Sequence, residues 1–330
     1  NLGTCLQELG KLDEAIASCH KTLAIKPDYV EAHSNLAISL IKLGRLDEAE
    51  ASYHEALKHT PTEEPYLPSF AFLGHPKRHF WMMGTIALLQ NLDRPITMLE
   101  IGTWVGSSLL TWDQSITAFH SKGGKILCID PWEPYLKLNN DDDAILSAVA
   151  DLGIAYHIFC HNKNTTTWKV DHCRGVSKEV LPGLESGSFD IVYIDGSHDY
   201  EDVVKDICEG CRLVRDGGYI CGDDLEIQWN DANQDHTQKH KNEDYVQDPE
   251  GRYYHPGVTA AVYDVLGNVT CHEGYWVMQK QDGKLKQIRF ERFDYFVPSH
   301  FSPDWKNRFR EYTGTRSFVV GSRKSPLEEN

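Results

Sequence analysis

The chain has 330 residues, 41% of them hydrophobic and 25% charged, with a formal net charge of −16. That length predicts two or three domains of a globular protein, and no apolar run is long enough to span a bilayer. The negative charge repels phosphate backbones and argues against a nucleic-acid partner. Nine cysteines are scattered along the chain, with Cys208 and Cys211 inside an apparent helix and no second pair to complete a zinc site. They read as reduced thiols in a cytoplasmic setting. The basic residues Lys306, Arg308, Arg310, Arg316, Arg323 and Lys324 read as a solvated face.

Residues 1–61 repeat with a period of 34: “NLGTCLQELGKLDEAIASCHKTLAIKP” from Asn1 is answered by “NLAISLIKLGRLDEAEASYHEALKHTP” from Asn35. Small residues Ala15, Ala49 and Ala56 let antiparallel helices approach closely. Gly10 and Gly44 end the first helix of each repeat, and Pro27 and Pro61 stop the second. The pattern resembles the tetratricopeptide repeat. Such arrays need about three repeats to bury a core, so these two predict a fragment of a longer array that serves a protein partner or self-association.

Residues 62–95 read as a linker followed by an amphipathic lead-in helix. From Ile96 to the end, strands alternate with helices: “ITMLEIG”, “KILCID”, “WKVDHCRG”, “FDIVYIDG” and “GGYICGDD” are strands. This predicts an α/β domain over residues 96–330, a Rossmann-like, doubly wound, mostly parallel sheet preceded by the all-α repeat module. Polar residues 226–256 carry no period and read as a lid loop, and “HEGYWVMQK” and “KQIRFERFDYF” as closing strands.

In such a sheet, ligands bind beyond the carboxyl ends of the strands. The stretch “MLEIGTWVGS”, residues 98–107, ends a strand in Glu100 and turns through Gly102 and Gly106 into a helix at Ser107. The glycine spacing is wrong for a nicotinamide fingerprint, and Glu100 suits a cationic ligand. The spacing E-x-G-x-x-x-G resembles motif I of class I S-adenosylmethionine-dependent methyltransferases. That resemblance implies a cofactor site at Glu100, Gly102, Thr103, Trp104, Gly106 and Ser107, with Asp130 after the second strand on the ribose hydroxyls and Trp132 near the adenosine. Ser177, which reads equally as a helix cap, would reach the adenine.

The run “FDIVYIDGSHDYEDVVKDICEGCRLVRDGGYICGDD” is similar to the methyltransferase subfamily with IDGSH after strand four and GDD after strand five, and to metal-dependent macrolide-sugar O-methyltransferases. The resemblance covers about residues 96–280, including “HPGVTAAVYDVLG”. It implies magnesium on Asp195, Asp223 and Asp224, three hard oxygen donors from neighbouring strand ends. The alternative puts Asp195 on the cofactor and Asp223 or Asp224 at a turn. His198 is the candidate base, with a capping histidine as the alternative. His236, His240 and His255 read as solvent-exposed. The expected function is methyl transfer to a hydroxyl of a small molecule or glycan. Two other readings stand beside it: a hydroxylase-like enzyme on the same scaffold, and a repeat-mediated interaction protein that senses cofactor.

Overall fold

The computed structural model describes residues 5–7, 9–71, 73–134, 141–315 and 322–323. The chain divides into two compact units. The first comprises residues 1–73, 104–106 and 132–165, and the second residues 74–103, 107–131 and 166–330. This division differs from the expected boundaries at 61 and 95.

The first unit is helical. Helices α1 (Leu12–Ile25), α2 (Val30–Lys42) and α3 (Leu46–His59) are the repeat helices. Asp13 and Glu14 open α1, and Asp47 and Glu48 open α3, where acidic side chains complement the helix dipole. Ala15, Ala37, Ala49 and Ala56 are fully buried. Gly10 and Gly44 take the left-handed conformation, at φ 69° and 71°. Gln7 Nε2 donates to Asn35 O at 2.6 Å and to Ser39 Oγ at 2.7 Å, tying the preceding helical turn to α2.

A later segment completes this unit. Helix α6 (Asp141–Asp151) packs against α2, and α7 (Ile154–Asn164) against α3. Buried Asn162 accepts from Tyr66 N at 2.7 Å and donates to Tyr66 O at 2.9 Å and to Val105 O at 2.8 Å. That side chain leaves few groups unsatisfied and fastens three segments at once. The two repeats are therefore not a free-standing module: α6 and α7 bury the face that they leave open.

The second unit holds helix α4 (Lys77–Leu88) and an eight-stranded sheet. Strands β1 (Ile96–Ile101), β2 (Gly124–Asp130), β3 (Lys169–Arg174), β4 (Phe189–Ile194) and β5 (Val214–Leu225) are joined in the order 3-2-1-4-5. All these pairs are parallel. Helix α5 (Ser107–Phe119) follows β1, the short α8 (Ser177–Val180) follows β3, and α9 (Tyr200–Leu213) follows β4. The core runs through Leu99, Ile101, Val192, Ile194, Ile207 and Ile220, from β1, β4, β5 and α9.

Segment 226–256 is folded, unlike the irregular lid expected from its polarity. It contains α10 (Gln234–His240) and a hairpin of β6 (Val246–Gln247) and β7 (Tyr253–Tyr254). Asp248 holds the hairpin by accepting from Arg252 N at 2.8 Å and Arg252 Nε at 2.7 Å. Tyr254 is buried against Thr237. Helix α11 (Pro256–Leu266), short β8 (Thr270–His272), β9 (Gly274–Gln281) and β10 (Lys284–Gln287) follow. Strand β9 runs antiparallel to β5, as expected for a closing strand. The second expected closing strand is shorter than “KQIRFERFDYF” predicts. It stops at Gln287, and Tyr295–Phe296 form a separate β11. Helix α12 (Pro303–Gly314) carries Lys306, Arg308 and Arg310, while Arg316 and Lys324 lie outside the described residues.

Candidate active site

Two groups of side chains gather at the carboxyl ends of the parallel strands. The first lies beyond β1 and β2. Glu100 is fully buried: Thr103 Oγ1 donates to its Oε2 at 2.9 Å, and its Oε1 has no hydrogen-bond partner. Burial pushes this carboxyl up to about 7, against hydrogen bonds from Ser108, Thr103 and Cys128 that favour the charged form. Asp130 Oδ2 accepts from Thr103 N at 3.0 Å. Thr103 thus bridges the two strand-end acids. Ser107 Oγ, at the start of α5, is also buried without a partner. Gly102 cannot carry a side chain, because a Cβ there would lie 2.0 Å from Asp195 O.

The other expected residues of this group have different neighbours. In the first unit Trp132 is buried, donates from Nε1 to Trp104 O at 2.7 Å and packs against Phe159 at 4.6 Å. Trp104 and Trp132 both adopt positive φ, 47° and 49°, and Gly106 lies at 90°. Ser177 does not cap α8, whose cap is Val176. Its hydroxyl bonds instead to the buried acid Asp206.

The second group lies beyond β4 and β5. The oxygens of Asp195, Asp223 and Asp224 come within 4.8 Å of one another, as the sequence implied. Their neighbours are a different matter. Arg78, buried in the first turn of α4, donates from Nη1 to Asp223 Oδ2 and lies 3.5 Å from Asp195 Oδ2. Tyr193 OH donates to that same Asp195 oxygen at 3.0 Å. Burial alone would lower Arg78, but the charges of Asp195 and Asp223 hold it well above its ordinary value. Burial pushes Asp223 up to about 6, and pushes Asp195 well above the carboxylate range, against the pull of Arg78. Asp223 receives the guanidinium directly, while Asp195 sits farther from it. Magnesium does not fit the three acids as they stand, because a guanidinium already fills the space between two of them.

Asp224 faces elsewhere. Its φ is 64°, and it sits in a bulge where the register of β5 against β9 shifts between Gly222 and Leu225. Its Oδ2 lies 3.0 Å from His198 Nε2. Burial would raise it, but the charges of His198 and His255 hold it well below the usual range. His198 Nδ1 lies 2.6 Å from Asp244 Oδ1. Burial would lower His198, yet Asp224 and Asp244 together hold it well above its ordinary value.

A methyltransferase-domain family matches residues 99–225, which span β1 through β5, and a tetratricopeptide-repeat family matches residues 6–67. The chain joins a tetratricopeptide repeat to a methyltransferase domain. An uncharacterized protein of Acanthamoeba polyphaga mimivirus is 30% identical over 152 residues, and the match spans 45% of this chain and 59% of that protein. Among solved structures, the chain is similar to the O-methyltransferase TomG of Streptomyces achromogenes, involved in tomaymycin synthesis and solved in complex with SAM (16% identity, 72% of this chain, 89% of that one, TM-score 0.36). It is also similar to a TDP-rhamnose 3′-O-methyltransferase of calicheamicin biosynthesis (18%, 71%, 93%, 0.38) and to the O-methyltransferase NovP (15%, 62%, 80%, 0.41).

Three residues in the methyltransferase unit escaped the sequence reading, Arg78, Glu226 and Asp244, and His255, read as solvent-exposed, is largely buried, its side chain 12% exposed. Arg78 left a trace. A cation in the first turn of a helix opposes the dipole, and a buried one needs carboxylate partners. Asp244 and His255 come from segment 226–256, whose fold was not legible. Gly257 also has a geometric task there, because a Cβ would lie 2.2 Å from His198 O. The start of α11 therefore rests on the backbone of His198 and places the His255 ring 4.2 Å from the His198 ring.

Proposed function

We propose that this protein transfers a methyl group from S-adenosylmethionine to a hydroxyl oxygen of a small molecule or glycan. The observation that carries the reading is Glu100: a buried carboxyl with one unpartnered oxygen, beside Gly102, in a turn that also bonds Asp130. A ligand with an ammonium group and a ribose diol matches that pair of acids, and Ser107 Oγ offers a further buried polar contact. In this reading Glu100, Gly102, Thr103, Ser107, Asp130 and Asp195 line the cofactor. Ser177, whose hydroxyl bonds Asp206, keeps acceptor capacity for the adenine.

When bound, the cofactor supplies a methyl group on a sulfonium and leaves as the neutral thioether. The chain's own residues hold the acceptor oxygen in line, which supplies much of the rate. They also take the hydroxyl proton. His198 is the proton acceptor, acting from its neutral fraction, which grows as pH rises through its raised pKa. The tetratricopeptide repeat supports a protein partner or self-association. No single helix among the described residues is long and apolar enough to cross a membrane. The free cysteines support a reducing, cytoplasmic location.

Calorimetry with S-adenosylhomocysteine and NAD tests the cofactor. S-adenosylhomocysteine should bind and NAD should not. Asp130→Ala should weaken binding by about 1–3 kcal/mol through the lost hydrogen bonds. Free Glu100 titrates near 7, and an ammonium ligand favours its carboxylate. Wild-type affinity should therefore rise from pH 6 to pH 8, and Glu100→Gln should flatten that rise. Tight NAD binding without a response to S-adenosylhomocysteine would overturn the reading.

A further inference from the structure

Asp224, Glu226, Asp244, His198 and His255 form a bowl beyond β5. The donor atoms of Asp224, Glu226 and His255 lie within 4.8 Å of one another, and so do those of His198, Asp244 and His255. His255 Nδ1 is 2.9 Å from Glu226 Oε1 and 3.9 Å from Asp224 Oδ1. His255 N also donates to Glu226 Oε2 at 3.2 Å, which fixes that carboxylate to the ring's own backbone. These side chains come from the end of β5, the loop before α9, and the two ends and the middle of the 226–256 segment, so the arrangement is tertiary. They are 12–32% exposed, enough for an ion to enter.

The charge in the bowl is unbalanced. Among the described residues, Arg78 serves Asp195 and Asp223, while Asp224, Glu226 and Asp244 form ion pairs only with histidines. Three carboxylates thus face two imidazoles with no permanent cation paired to them. Mixed imidazole and carboxylate donors suit a first-row transition ion better than magnesium, which prefers oxygen alone. Asp244 on His198 Nδ1 fixes that ring beside the bowl.

We propose that Asp224, Glu226 and His255 bind a divalent transition-metal ion of the manganese or iron(II) type, with His198 and Asp244 on its flank. The ion lies on the histidine side of the acid pair, and Arg78 keeps the place between Asp195 and Asp223. The proposal is independent of methyl transfer, since it needs only the geometry of the bowl.

The test is titration of the full chain, stripped with chelator, with Mn²⁺ by calorimetry and by loss of the free-ion EPR signal. One Mn²⁺ should bind per chain. His255→Ala and Glu226→Gln should each weaken it by about 10–100-fold or more, while Asp195→Asn should change it by less than about threefold. Circular dichroism checks that each variant folds, and Glu226→Gln keeps the volume should His255→Ala fail. Titration with S-adenosylhomocysteine, run separately, reports on the cofactor reading. Absence of Mn²⁺ binding at millimolar ion overturns the proposal. So does a pattern in which Asp195→Asn abolishes binding and His255→Ala does not, which would put the ion among the three aspartates.

Discussion

Asp223 and Asp224 are consecutive residues in the same bulge, yet their surroundings pull them in opposite directions. Asp223 faces Arg78 and the buried Asp195, and burial pushes it up to about 6. Asp224 faces His198 and His255, and their charges hold it well below the usual range. One side is a closed ion pair anchored by α4. The other is a half-open cluster anchored by α9 and segment 226–256. The bulge and the left-handed φ of Asp224 separate them. A bulge beside a site commonly re-aims a side chain in this way. The pair of acids that looks uniform in sequence is, in the fold, one structural carboxylate and one exposed to chemistry.

The largest effect should come from the closed side. Arg78→Met removes the cation that, among the described residues, sits between two buried carboxyls. It should destabilise the protein by about 3–5 kcal/mol at neutral pH, read by urea denaturation. Adding Asp223→Asn should recover part of the loss, because the stranded charge is gone. If Arg78→Met unfolds like the wild type, Arg78 is not the counterion and the comparison fails.

The open side should show its effect in turnover. His198→Gln should lower methyl transfer by about 10²–10⁴-fold, the usual loss of a general base. Asp224→Asn should also lower turnover strongly while leaving S-adenosylhomocysteine affinity within about threefold. Asp223→Asn keeps an oxygen that accepts from Arg78, and so should cost less turnover than Asp224→Asn. The reverse order would mean that the closed side carries the chemistry.

The sequence made the skeleton of this arrangement legible, and the reasons are local. The repeats show because a 34-residue period survives in single residues such as Ala15, Ala49, Gly10 and Gly44. The strand ends show because apolar runs stop at Glu100, Asp130, Asp195 and Asp224. The neighbours of those acids were hidden, since they depend on packing between distant segments. Arg78 precedes Asp223 by 145 residues. His198 and His255 meet because α11, through Gly257, rests on the backbone of His198. Helices α6 and α7 could be read as apolar helical stretches, but nothing in their pattern says that they pack on the repeats. The folded 226–256 segment was lost for another reason. Its elements are short and held by polar contacts such as Asp248–Arg252, which carry no hydrophobic period.

The smallest and sharpest effect concerns Asp244. It stabilises the imidazolium of His198 from Nδ1, while Asp224 does so from Nε2. His198 is raised in the fold above its ordinary value near 6.5. Its contribution to stability is therefore fully present below about 6.5 and is lost as pH rises through the raised pKa. Asp244→Asn removes one support, so the pKa of His198 should fall by about one unit, followed by NMR titration of the ring. The stability window above 6.5 should narrow with it. If neutral His198 is the base, the rising limb of kcat/KM against pH should move to lower pH by the same amount, and turnover near neutrality should increase. A ring that titrates unchanged in Asp244→Asn would mean that Asp224 alone sets the charge of His198. A limb that stays put while the ring shifts would remove His198 as the base and leave its pairing with Asp224 purely structural.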